Sequence, residues 1–259
     1  MKPSTISANP KGRFPLWAVA FWLLVWEAAA RWVNEPILLV SPVTAVIRLF
    51  QLLGEAAFWQ AVGFSLGRIL LGFGLSLACG VLLAVLAYRF SPVRQLLMPL
   101  TAAVKAIPVA SFVILALLWV PSRNLSVLIS LLIGFPVIYG NALTGLDGTD
   151  EKLLQMARVF RVPFLRQLNN IYLYQVLPYL RSGAAIAMGL CWKSGVAAEI
   201  IGLPGGSVGE RLYTAKVFLE TPDMYCWTLT VVLLSVGCEK LLRLSLDALE
   251  GRTRACWRR

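Results

Sequence analysis

Histidine is absent from all 259 residues. That removes histidine-dependent triads, imidazole metal sites and imidazole pH switches. Charge is sparse. It amounts to 14% of the chain, against about 25% in a soluble domain. Acidic residues are scarcer still, 13 against 24 Lys and Arg. No Gly-Lys dipeptide occurs, so no GxxxxGK[ST] cradle for nucleotide phosphates can form. Five cysteines stand at 79, 191, 226, 238 and 256 without a CxxC pair, at least three of them inside apolar runs. They read as small buried hydrophobes, not as a disulfide framework or a zinc site.

What is abundant is apolar surface. It makes up 58% of the residues, with a mean hydropathy of +0.73. One soluble core cannot hide that much, so lipid must be the solvent for most of the chain. A secreted domain, a cytosolic enzyme and a disordered tail are excluded. A membrane helix needs about 20 mostly apolar residues to cross roughly 30 Å of hydrocarbon. Six stretches qualify, near Pro15–Val33, Ala61–Ala87, Leu97–Val120, Leu125–Gly145, Leu180–Ile201 and Met224–Leu246. In lipid the backbone must satisfy its own hydrogen bonds, so all are expected to be helices. The first resembles a signal peptide in its basic start and its Ala28-Ala29-Ala30 run. Glu27 and Arg31, spaced to pair on a continuing helix, favour a retained span.

Lys and Arg set the orientation. With the N-terminus inside, the inner side collects sixteen, from Lys2, Lys11 and Arg13 through Arg89 and Arg94 to the 146–178 loop and the C-terminal tail; the outer side collects six. Both termini are therefore expected in the cytoplasm. The +11 net charge reads as a topology signal, with no nucleic-acid partner implied. Between the first two spans, Ser41-Pro42 opens a short amphipathic helix on the outer interface.

The inner loop 146–178 is too patterned to be a connector. Thr149 or Asp150 can cap a helix in which Leu153, Met156, Ala157 and Phe160 form an apolar stripe flanked by Arg158 and Arg161. Val162-Pro163 starts a second helix, with Leu165, Leu168, Ile171 and Tyr172 as its stripe, ending at Leu177-Pro178. An apolar stripe at a surface either packs under its own bundle or enters a partner's groove. Gly202–Gly209 is Gly-rich, but it lies on the predicted outer side with no strand before it, and reads as a turn.

Within the spans, Gly72, Ser76 and Gly80, and again Gly183, Ala187, Cys191 and Gly195, recur every fourth residue, as helix contact faces do in lipid. Lys193 lies near mid-span, where a charge costs roughly 3 kcal/mol or more unless solvated or paired. It reads either as a pathway residue attracting an anion or as a structural ion-pair member. Glu199 follows on a different face nearer the outer end, with a structural or gating role. Pro108 and Pro136 predict kinks in the third and fourth spans. Trp17, Trp32, Trp119 and Trp227 suit interfacial anchoring, whereas Trp22 and Trp192 fall deeper and suit packing.

The stretch Gln155-Met156-Ala157-x3-Arg161-x9-Ile171-x-Leu173 resembles the EAA loop of binding-protein-dependent ABC importer permeases. That pattern reads Glu-Ala-Ala, three residues, Gly, nine residues, Ile-x-Leu-Pro. Ala157, Ile171, Leu173 and the spacing match; Gln155, Arg161 and Tyr174 depart from it. Leu39–Pro42, Ser65–Arg68, Gly72–Gly74, Ile107–Ala110, Leu177–Leu180, Gly189–Trp192 and Ala198–Gly202 follow the family's order. The likeness covers roughly 38–246 and is similar to the branch importing nitrate, sulfonates, taurine or thiamine precursors.

The resemblance implies an all-α integral membrane protein of the ABC importer permease (MetI-like) fold. It divides the chain into a cytoplasmic tail 1–13, a first transmembrane helix 14–36, a permease domain 37–246 containing the coupling loop, and a basic tail 247–259. It implies a non-enzymatic subunit of the cell's inner membrane. This chain would bind no cofactor; ATP and Mg would be used by a separate cytoplasmic ATPase subunit. An external solute-binding protein and a second permease copy complete the implied partners. Leu153, Gln155, Met156, Ala157, Phe160, Arg161, Ile171 and Leu173 would couple to the ATPase. A secondary carrier, the rival reading, would have no use for a docking loop. A membrane enzyme would need a convergent nucleophile or metal set.

Overall fold

The computed structural model describes residues 16–35 and 37–257, with side chains from 17 to 247 except those of Pro36, Phe164, Leu165 and Asn169. The expected tail 1–13, with Lys2, Lys11 and Arg13, and the terminal Arg258 and Arg259 lie outside the described residues. The described chain is helical throughout, without a strand. In order come α1 (Leu16–Val33), α2 (Pro42–Leu53), α3 (Ala56–Arg89), α4 (Ser91–Ala106), α5 (Val109–Ala116) and α6 (Ser122–Asp147). There follow α7 (Glu151–Val159), α8 (Phe164–Gln167), a π-helical segment (Leu168–Tyr172), α9 (Leu173–Gly202), α10 (Val208–Val217) and α11 (Thr221–Trp257).

Among the described residues three helices are long and apolar enough to cross a membrane: α3, α6 and the helix over Asn170–Gly202. The pair α4–α5 passes the same test as one broken unit. Helices α1 and α11 occupy the first and sixth predicted stretches. The expectation of one span over Leu97–Val120 is corrected: α4 and α5 meet at 103°. Ile107, before a proline, is pushed to extended backbone (ψ 127°), and Pro108 is itself extended as the N-cap of α5. Two consecutive non-helical residues make a break where one proline was expected to kink.

The bent pair still carries the chain from one end of the bundle to the other. At one end Arg94 of α4 pairs with Asp147 at the close of α6 (2.9 Å). At the other, Arg68 of α3 hydrogen-bonds Asn124 at the start of α6. Arg68 and Arg89 are 21 residues apart on α3, roughly 30 Å along the axis, the thickness of a hydrocarbon core. Helix α11 runs between the same two ends. Asp223 holds Arg48 of α2 (2.5 Å), and Asp247 holds Arg181 of α9 (2.5 Å). The Asp223 carboxylate raises the Arg48 pKa above its already high ordinary value, chiefly through their hydrogen bond.

Helix α6 lies between α3 and α9, and small residues allow the approach. A Cβ on Gly72 would stand 2.5 Å from the Val127 carbonyl oxygen, and one on Gly80 2.8 Å from Ile138. Ser76 occupies the space over Gly134. On the other flank Gly183 sits against Asn141, and Gly195 against Ile69 and Ser130. Ala187 and Cys191 are fully buried there, with Trp192 in the same cluster. The Ser130 hydroxyl donates to the Cys191 carbonyl (3.2 Å), and the Cys191 thiol donates to the Ser130 carbonyl (3.2 Å).

Two of the tryptophan expectations fail. Trp227 is buried and stacks on Phe58 at 5.1 Å, because α2, α3 and α11 converge there, while Trp22 is largely exposed on the outer face of α1.

The seam supplies a stability test. Gly72→Ala should destabilise the protein by about 1–3 kcal/mol, because a methyl group there meets backbone that cannot turn aside. Gly63→Ala on the same helix, where a Cβ meets nothing within 4 Å, should be neutral or slightly stabilising. Unfolding of the purified protein in detergent measures both.

Candidate functional site

The 146–178 loop takes over where α6 stops. Asp150 caps α7, its carboxylate accepting from the Lys152 amide (2.8 Å), and its own amide donates to Gln175 of α9 (2.9 Å). Glu151 and Arg158 sit at the ends of α7 where the helix dipole favours each charge. Tyr172 reaches α3 by an edge-on contact with Tyr88 (6.1 Å). The loop thus follows directly on α6 and is tied to α3 and α9.

The apolar residues of α7 divide into two sets. Ala157 is buried (1% exposed) and Leu153 half-buried, so this edge is covered by the chain itself. Met156, Val159 and Phe160 are 50%, 78% and 73% exposed. Gln155 and Arg161 are also exposed, Ile171 is buried and Leu173 is partly open. The stripe read from the sequence therefore mixes an inward edge with an outward one. Val159, which that stripe left out, belongs to the outward one. Its signal was present: a residue between two positions assigned to the docking face becomes exposed once the helix is rotated to bury Ala157.

Arg161 stands where the family pattern has Gly, and its φ is +50°. The Val162 amide donates to the Ala157 carbonyl (2.9 Å), and the Arg161 amide to the Arg158 carbonyl (3.1 Å). That is a Schellman ending, whose left-handed residue is ordinarily Gly. The tight turn is thus kept, with Arg in a backbone conformation costly to an L-residue.

The loop's second helix does not stop at Leu177-Pro178, as the sequence reading expected. It runs from α8 through the π-helical segment into α9, with Pro178 inside α9. Leu177 is buried, and Val176 and Leu180 pack on the cluster of Phe135, Tyr139 and Ala142 from α6. These neighbours hold the backbone helical on both sides of the proline.

Lys193 and Glu199 diverge as their spacing required. Lys193 is exposed on the face of α9 that also carries Ser182 and Ile186, and it makes no ion pair among the described residues. Glu199 is fully buried. Its Oε2 accepts from the Ser65 hydroxyl (2.6 Å) and from the Gly209 amide (3.3 Å). Within 202–209 only 203–207 form the turn, with Gly206 at φ +80°, while Gly202 ends α9 and Val208 and Gly209 open α10. The positive N-terminus of α10 that follows it is occupied by the chain's own carboxylate. No group of three or more metal-ligating side chains converges among the described residues.

The turn after α7 gives a direct test. Arg161→Gly should stabilise the protein by about 1 kcal/mol by relieving the left-handed penalty. Arg161→Val, with a branched Cβ, should cost at least as much in the opposite direction. Differential unfolding in detergent reads both signs.

The loop and bundle have counterparts among known proteins. The chain is 25% identical over 232 residues to the putative aliphatic sulfonates transport permease protein SsuC of Bacillus subtilis, covering 89% of this chain and 82% of that one. It is 26% identical to the taurine transport system permease protein TauC of Escherichia coli, covering 88% and 83%. It is 27% identical to the formylaminopyrimidine transport permease protein ThiX of Halalkalibacterium halodurans, covering 71% and 74%. Residues 76–255, from mid-α3 through the loop to α11, match the family described as binding-protein-dependent transport system inner membrane component, and the chain belongs to that family of membrane-embedded transport permeases.

Proposed function

We propose that this chain is the permease subunit of an ATP-driven importer. It would form the solute pathway with a second copy of itself and take its power stroke from a separate ATPase through the 150–178 loop. The observation that carries this reading is the exposed edge of α7. Three large apolar side chains, Met156, Val159 and Phe160, project from a short helix whose N-cap Asp150 is hydrogen-bonded to α9, in a loop whose π-helical segment touches α3. Such an edge facing water is unfavourable by roughly 25 cal/mol for each Å² of apolar surface. A groove in a partner relieves it, and the fastening lets a push on α7 reach the bundle.

On this reading the loop end faces the cytoplasm, as the excess of Lys and Arg at that end favours. Both termini then lie inside, and α2 and α10 lie outside, where a solute-binding protein would dock. ATP and Mg belong to the partner. The exposed face of α9 with Ser182, Ile186 and Lys193 lines the pathway against the second copy, because an ammonium at mid-span is costly against lipid. An unpaired cation there favours a small anionic solute. Relatives named for aliphatic sulfonates and taurine agree with an anion, and the one named for formylaminopyrimidine widens the class.

Met156, Val159 and Phe160 changed together to Asp should abolish co-purification with the ATPase and leave the bundle's unfolding midpoint within a few degrees of the parent. Retained co-purification would sink the docking reading. Ala157→Asp should instead unfold the loop, since it buries a charge. For the pathway, Lys193→Met should cut uptake at least fivefold with ATPase binding intact; unchanged uptake would return Lys193 to a structural role.

A further inference from the structure

One buried carboxyl group joins four elements at the end of the bundle remote from the loop. Glu199 lies three residues before the end of α9 and is 0% exposed. Its Oε2 receives the Ser65 hydroxyl of α3 and the Gly209 amide of α10. Ser65 Oγ in turn accepts from the Val208 amide (3.0 Å), and Ser207 Oγ from the Glu210 amide (3.0 Å). The first three amides of α10, which no helix can satisfy internally, are therefore met by Ser65, Glu199 and Ser207. The fourth element is α6. Its Ser126 lies beside the same carboxyl group. Its Oγ and Glu199 Oε1 are both buried, and neither has a formed hydrogen bond.

The backbone reinforces this attachment. A Cβ on Gly209 would stand 2.4 Å from Glu199 Cβ and 2.7 Å from the Ile200 nitrogen, so α10 rests directly on the backbone of α9. Glu199 also caps the far end of one unbroken helical path that starts at α8 in the loop. Loop, α9 and α10 are thus connected end to end without a flexible joint until Leu203, whose amide still bonds to the Glu199 carbonyl (2.9 Å).

We infer that Glu199 is a positioning residue, a hydrogen-bonded latch that fastens α10 to the outer tip of α9 so that the two move as one body and displacement of the inner loop reaches the outer face. The motion rests on the coupling reading above; the latch itself does not. The latch works through hydrogen bonds and not through charge. A Gln at 199 has an oxygen for Ser65 and Gly209 and an NH₂ that can donate to Ser126, so it fills the vacancy beside Ser126 as well.

Hydrogen exchange on the purified permease in nanodiscs tests the latch without any ATPase. Glu199→Ala should speed exchange across Val208–Arg211 at least tenfold while α6 stays protected, and Glu199→Gln should stay within about threefold of the parent. Gly209→Ala, which attacks the same contact from the other side, should match Glu199→Ala and serves if that variant fails to fold. Unchanged exchange in Glu199→Ala, or equal loss in Glu199→Gln, overturns the latch. In the complete transporter, Glu199→Ala should lower uptake at least fivefold with ATPase binding intact, and Glu199→Gln should restore it. Full uptake with α10 freed overturns the linked motion. Loss of ATPase binding by the parent itself would count against the coupling reading alone.

Discussion

Close approach of α3, α6 and α9 is the constraint on which the rest of the structure depends. Lipid gives helices no hydrophobic reason to associate, so contact must come from van der Waals packing and from hydrogen bonds that hydrocarbon cannot supply. Gly72, Ser76 and Gly80 bring the α3 backbone onto α6, while Gly183 and Gly195 do the same for α9. The reciprocal bonds between Ser130 and Cys191 then become possible, because they need backbone within reach of a two-atom side chain. The buried positions of Trp192 and Glu199 follow from the same seam. Widening α3–α6 by one methyl group would disturb the packing on which both rest.

Much of this was legible in the residues. Five of the six apolar stretches became single helices and the third became two, and small residues at every fourth position marked the seam, since both signals arise from local composition and period. The sidedness of α7 was not legible. A stripe at helical spacing shows which residues share a face, but not whether that face meets the chain's own bundle or water. Ala157 decided it, by fitting where Met156 and Phe160 cannot. Glu199 was visible as a carboxylate out of place, whereas its partners were not. Ser65 and Gly209, which bond it, and Ser126 beside it come from three other elements, and no period links them.

Arg161 shows how a family pattern can be kept in geometry when it is lost in composition. The glycine of the pattern serves a left-handed residue after α7, and the two Schellman bonds form here around Arg. Leu219 ends α10 in the same way, with φ +57° and the Glu220 amide on the Ala215 carbonyl. This chain accepts the backbone cost at more than one helix end. The departure at Arg161 is therefore a matter of stability at the turn, and the path of the chain into α8 is retained.

The prolines show that a residue's effect on a helix is decided by its surroundings. Pro136 and Pro178 each forfeit one backbone hydrogen bond, yet α6 and α9 continue past them. Buried neighbours, Phe135 and Ile138 in one case and Leu177 in the other, hold the backbone on both sides. At Pro108 the neighbouring Ile107 is exposed and nothing opposes the extended conformation that a following proline favours, so the helix breaks and turns through 103°. One flank of the bundle is thereby jointed, and the other is continuous from the loop to the opposite end of the bundle. On the proposed coupling reading, a displacement applied at the loop would be absorbed where the chain can bend and carried where it cannot. On that reading, continuity through Pro178 would matter more for transmission than the turn chemistry of the loop itself.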